Sequence, residues 1–194
     1  MRRSLSALIA LILLFSTVGW SADFLKGLEA YNKKDYRTAL REWRPLAEEG
    51  HAAAQGFLGV MYYKGEGVPQ NYETAVKWFR RAAEKGNVEA QSMLGLMYEA
   101  GEGVPQNYVY AHMWLNLSAS QAPGPNLKKL DTLDPLLRKW DLEIRDLGAK
   151  QRDIAVEARD RIAKEMTPFQ IAKAQELARE CVKKKYKGCG RPKR

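Results

Sequence analysis

Residues 65–72 read GEGVPQNY, and residues 101–108 repeat the same eight letters. The copy belongs to a longer register. Sliding the chain by 36 sets Ala47–Ala82 against Ala83–Ser118, and 19 of the 36 pairs are identical. A repeat of this length limits the fold severely, because one unit cannot bury its apolar face alone and must stack on a neighbour. Ala54, Gln55, Leu58, Gly59, Met61 and Tyr62 recur as Ala90, Gln91, Leu94, Gly95, Met97 and Tyr98. From Ala54, the residues Leu58, Met61 and Tyr62 lie four, seven and eight positions on, which is one face of an α-helix. After the octapeptide, Ala75 and Trp78 recur as Ala111 and Trp114 on a second helix. Each unit is helix, loop, helix.

The octapeptide supplies what such a loop needs. Asn71 and Asn107 stand at N-cap positions, where a short side-chain oxygen accepts from an orphan N–H of the next turn. Gly65 and Gly67 permit positive φ where the first helix must stop, and Pro69 cannot continue it. Gly59 and Gly95 cost about 1 kcal/mol each inside a helix relative to alanine, so a close approach of two helices is their expected use. A phosphate-binding loop would need a preceding strand, or Gly-Lys-Ser/Thr at a helix N-terminus, and neither is present. The octapeptide is read as a turn.

A shorter unit lies upstream. FLKGLEAYNKKDYRTALREWRPLAEEG places Gly27 and Ala30 where Gly59 and Tyr62 stand, closes its loop with YNKKDY, and resumes with Tyr36, Ala39 and Trp43. This shorter form resembles a tetratricopeptide repeat. The longer units, AQxxLGxMY followed by GxGVPQNYxxAxxW, resemble the Sel1-like repeat family. The resemblance covers residues 24–122 and divides them at about 24–50, 51–86 and 87–122. It implies an all-α fold, a right-handed α-solenoid of helix pairs with a concave face and C-terminal capping helices.

Beyond residue 122 the period is lost but helical spacing continues. QAPGPN at 121–126 breaks the array. Asp134-Pro135 can open a helix carrying Leu136, Leu137, Trp140, Ile144 and Leu147, ended by Gly148. A further helix carries Ile154, Ala158, Ile162 and Met166, and Thr167-Pro168-Phe169-Gln170 is a capping box opening a last helix with Ile171, Ala174, Ala178 and Cys181. ARDRIAKEMTPFQIAKAQELARE resembles the closing segment of many exported bacterial Sel1-like proteins. Residues 123–182 are read as a helical cap on the open end of the stack, with 183–194 as a basic tail.

The first 22 residues read as a secretory signal peptide: Arg2 and Arg3, an apolar run from Leu5 to Val18, then small and polar residues, with cleavage expected near 19–23. Those 14 apolar residues rise only ~21 Å as a helix, short of a ~30 Å hydrocarbon core; an uncleaved anchor is the alternative. The expected location is periplasmic or secreted. In such a setting Cys181 and Cys189, the only cysteines, form a candidate disulfide worth about 2.5 kcal/mol, with two free thiols as the alternative. The chain carries 32 basic and 23 acidic residues; two of the basic ones lie in the leader and seven in the tail. The intervening body is neutral, which speaks against a nucleic-acid-binding face.

No motif for catalysis, metal or cofactor emerges. There is no paired-histidine zinc helix and no nucleophile elbow. His51 opens a helix, and His112 is read as a surface residue. The family's penicillin-binding, cysteine-rich members carry a cysteine pair in every repeat, absent here, so a β-lactamase-like hydrolase is only a distant alternative. The resemblance implies a scaffold that binds a protein or peptide through its concave face. In tetratricopeptide-like stacks the first helix of each pair lines that face, and residues not shared between repeats map there as Tyr31, Asn32, Tyr63, Lys64, Ser92 and Glu99. Neutral drift would leave the same pattern. The second reading has the cationic tail holding the protein to anionic envelope material.

Overall fold

The computed structural model describes residues 23–121 and 150–190. The leader at 1–22, the helix read at Asp134–Leu147 and the last four residues of the basic tail lie outside the described residues. Among the described residues eight helices and no strand occur: α1 (23–32), α2 (Tyr36–Glu48), α3 (Ala52–Lys64), α4 (Tyr72–Ala83), α5 (Val88–Ala100), α6 (Tyr108–Ser120), α7 (150–163) and α8 (Pro168–Lys183). They pair in sequence as hairpins. The chain divides into two compact units at Trp78–Phe79, inside α4.

Both octapeptides are turns, and nearly every letter has a task. Gly65 and Gly101 end α3 and α5 in the left-handed region, at φ 74° and 76°, and their N–H groups donate to Met61 and Met97 carbonyls. The next amides, Glu66 and Glu102, donate to those same carbonyls at 2.9 and 3.0 Å, closing the helix ends. Gln70 Nε2 reaches back to the Tyr63 carbonyl and Gln106 Nε2 to that of Glu99, each at 2.8 Å. Asn71 Oδ1 accepts from Thr74 N at 2.7 Å and Asn107 Oδ1 from Tyr110 N at 3.0 Å, so both asparagines cap the second helix. The letters recur because both turns use the same glycines, glutamine and asparagine in the same places.

In the first unit, Ala39, Trp43, Leu46, Ala47, Ala54, Leu58 and Met61 form the core. Trp43 is fully buried, its Nε1 donates to the Phe24 carbonyl at 3.1 Å, and its ring lies 4.3 Å from Phe57. Gly27 sits directly on that indole, where a Cβ would overlap the ring. Gln55 Nε2 ties α3 back to the Ala47 carbonyl of α2 at 2.8 Å.

In the second unit, α6 is buried on most of its circumference, with Ala111, His112, Met113, Trp114, Leu115, Leu117 and Ser118 inside. It packs on α5 and α8. Gly95 does for this hairpin what Gly27 does for the first: a Cβ there would stand 2.5 Å from Leu115 Cγ. Ser118 Oγ donates to the Val88 carbonyl at 3.1 Å, and Gln91 Nε2 repeats the Gln55 tie by donating to Ala83 O at 3.3 Å. Helices α7 and α8 close the unit with Ala155, Ala158, Ile162, Ala174 and Ala178. Thr167 and Gln170 form the expected capping box. One position is corrected: Ile154 is 49% exposed, and Ala155 joins Ala158, Ile162 and Met166 on the buried face.

Candidate interaction surface

The six candidate residues differ in their surroundings. Tyr31 is half-buried; its hydroxyl donates to Glu66 Oε2 at 2.6 Å, and its ring lies 5.5 Å from Tyr36 and Trp43 and 5.9 Å from Phe57. Burial, then the Glu66 carboxylate, push its hydroxyl pKa above the usual tyrosine range. Glu99 accepts two bonds from Arg161 of α7, at 3.0 and 2.9 Å. Ser92 is fully buried. Ser92 is thereby corrected as a surface candidate, while Tyr31 and Glu99 remain partly exposed and are engaged by the next hairpin. Tyr31 and Glu99 occupy the same place at the end of a hairpin's first helix, and each binds the hairpin that follows. They differ between repeats because each matches a different neighbour. Tyr63, half-buried, lies 5.3 Å from the Tyr72 ring. Asn32 and Lys64 are exposed.

Asn32 and Lys64 mark the stripe that does face water. Setting Gly27 against Gly59 and Gly95 aligns Leu25 with Phe57 and Met93, Leu28 with Val60 and Leu96, and Asn32 with Lys64 and Ala100. Within the first unit Leu25 is 60% exposed, while Leu28, Phe57 and Val60 are half-buried. Within the second unit Met93 and Leu96 are half-buried and Ala100 is exposed. The first helix of each hairpin thus leaves two successive turns of apolar side chain partly in water. Sequence reasoning missed this stripe because it looked for differences between repeats; the signal was kept hydrophobicity without kept identity, Phe57 against Met93 and Val60 against Leu96.

The ionisable groups serve structure. His51 caps α3, its Nδ1 accepting from Ala54 N at 3.2 Å, and its ring stacks 4.9 Å from Phe24. His112 is buried, a correction to its reading as a surface residue; α6 is enclosed on the side opposite α5 by the C-terminal helices, which the repeat pattern does not contain. Burial holds its pKa below the usual histidine value; Arg159 adds to this and Asp160 opposes it. Among the described residues no three His, Cys, Asp or Glu side chains gather as metal ligands, and no helix is long and apolar enough to cross a membrane. Cys181 and Cys189 are joined in a disulfide, with Cα atoms 5.5 Å apart.

Known proteins resemble the chain in this arrangement. Residues 52–87 and 88–123 each match the Sel1 repeat. The crystal structure of a protective antigen present in uropathogenic Escherichia coli strains, displaying an SLR fold, is similar over 86% of this chain with TM-score 0.67 and 24% identity; the chain spans only 30% of that protein. A Sel1 repeat protein from Oxalobacter formigenes is 32% identical over 69% of this chain and 98% of its own, with TM-score 0.50. No curated protein matches the sequence. The likeness and the helix pairs together make the fold an all-α solenoid, and the chain belongs to the Sel1 repeat family.

Proposed function

We propose that this chain is a non-catalytic, exported bacterial scaffold that binds a protein or peptide through the first helices of its hairpins. The observation that carries the reading is the recurrence of half-exposed apolar residues in one register, Leu25 and Leu28, Phe57 and Val60, Met93 and Leu96. Single surface hydrophobics need no explanation, but the same two turns left wet in successive hairpins do. A helical or extended apolar segment is the occupant such a stripe suits. The leader-like first 22 residues support export, and the absence of a catalytic motif in the sequence supports a binding role.

A photo-crosslinking residue at Val60 or Leu96 is expected to trap one discrete adduct of the same mass in cells, whereas one at exposed Lys77 on α4 is not. Equal labelling from all three positions, or none from Val60 and Leu96, would end the assignment. Val60→Glu should abolish the adduct formed from a probe at Lys64 while leaving helicity unchanged.

A further inference from the structure

We propose that residues 182–190 form a preformed cationic knuckle that docks on an anionic lipid bilayer. The Cys181–Cys189 disulfide joins the end of α8 to a loop eight residues on. Within that loop Lys185 and Tyr186 adopt positive φ, 50° and 64°, followed by Gly188 at 69° and Gly190 at 62°. Two successive non-glycine residues in the left-handed region are costly and persist only where their surroundings fix them. Here three contacts besides the disulfide do so. Tyr98 Oη donates to the Gly190 carbonyl at 3.2 Å; Gly190 lies against Trp114, where a Cβ would come within 2.6 Å of Nε1; and the Tyr186 ring lies over Gly86.

The loop so fixed turns Lys183, Lys184, Lys185 and Lys187 to solvent. Among the described residues none of the four has an ion-pair partner. No acidic residue occurs from 181 to the end of the sequence, which adds Arg191, Lys193 and Arg194. Beside the lysines Val182 is 51% exposed, and at the other end of α8 Phe169 is 80% exposed. Phe169, Ala172 and Arg179 lie on one solvent face of α8 together with Glu176, and Val182 stands about 140° round the helix from Phe169, on the side of the knuckle. Cations set beside a wet apolar side chain suit a bilayer interface, where the ammonium groups meet headgroup phosphates and Val182 enters the acyl boundary. A soluble polyanion would use the lysines and leave Val182 without purpose. This surface is independent of the apolar stripe, and either can fail alone.

The test is co-sedimentation of the full chain with phosphatidylcholine vesicles, with and without phosphatidylglycerol. The apolar leader is common to every variant, and the zwitterionic vesicles report its share. The parent should bind the anionic vesicles more tightly and be released by molar salt. Lys183→Gln with Lys185→Gln should weaken that binding about 25-fold, at about five-fold per lysine. Val182→Ser should weaken vesicle binding but leave binding to soluble polyglutamate unchanged. Cys181→Ser with Cys189→Ser should weaken it at constant charge, because the loop is no longer held. If the cysteine variant loses helicity, the exposed-lysine variant still decides. Unchanged binding by that lysine variant, or polyglutamate bound as tightly as the vesicles, overturns the proposal.

Discussion

Gly95→Ala sets two opposed effects against each other. At an open helical position the change stabilises by about 1 kcal/mol, because alanine loses less backbone freedom than glycine. At Gly95 the new methyl would stand 2.5 Å from Leu115 Cγ, 2.9 Å from Leu115 Cδ2 and 3.2 Å from the Ala111 carbonyl oxygen. Leu115 is fully buried and the Ala111 oxygen is backbone, so neither can swing aside. Overpacking of this kind costs about 1–3 kcal/mol, and the rigidity of both neighbours places it in the upper part of that range. The net expectation is a loss of about 1–2 kcal/mol. It is read as a fall in urea midpoint by far-ultraviolet circular dichroism. Leu115→Ala alone should cost about 2–5 kcal/mol, and in that background Gly95→Ala should cost less than in the parent, since the two closest contacts are gone and only the Ala111 oxygen remains. A single Gly95→Ala variant more stable than the parent would refute the close approach of α5 and α6.

Two further outcomes concern pH. Burial lowers the His112 pKa in the folded chain, so below pH 6.5 the unfolded chain binds the proton more readily and stability falls. His112→Leu should flatten that acid limb of the urea midpoint between about pH 7 and pH 5. Tyr31 has the opposite sense: its hydroxyl pKa is raised, so its contribution is intact below the ordinary value of 10.0 and fades above it. Tyr31→Phe should cost about 1 kcal/mol at neutral pH through the lost Glu66 bond, and lessen the alkaline decline.

The helix pairs, their turns and their caps were legible because the octapeptide encodes them locally. Gly65 and Asn71 act on backbone atoms a few residues away, so their meaning does not depend on the rest of the fold. Gly95 was legible for a related reason, since a glycine costs stability in a helix unless something approaches it. Tyr31 and Glu99 were read as free to diverge although their partners lie on the next hairpin, and Ser92 is simply enclosed in the core. Tyr31 differs from Glu99 because one answers Glu66 and the other Arg161. His112 sits where Val76 sits in the preceding repeat, yet its burial depends on C-terminal helices that lie outside the 36-residue period.

The unlike bonds at Tyr31 and Glu99 also bear on how such a chain can lengthen. The turns are interchangeable but the seams are keyed: Tyr31 meets the carboxylate of Glu66, whereas Glu99 meets the guanidinium of Arg161. Splicing in a second copy of residues 87–122 would leave one Glu99 facing a hairpin that offers no arginine there. Growth by duplication would have to recut each junction, and the number of hairpins is thereby fixed more firmly than their near-identity implies.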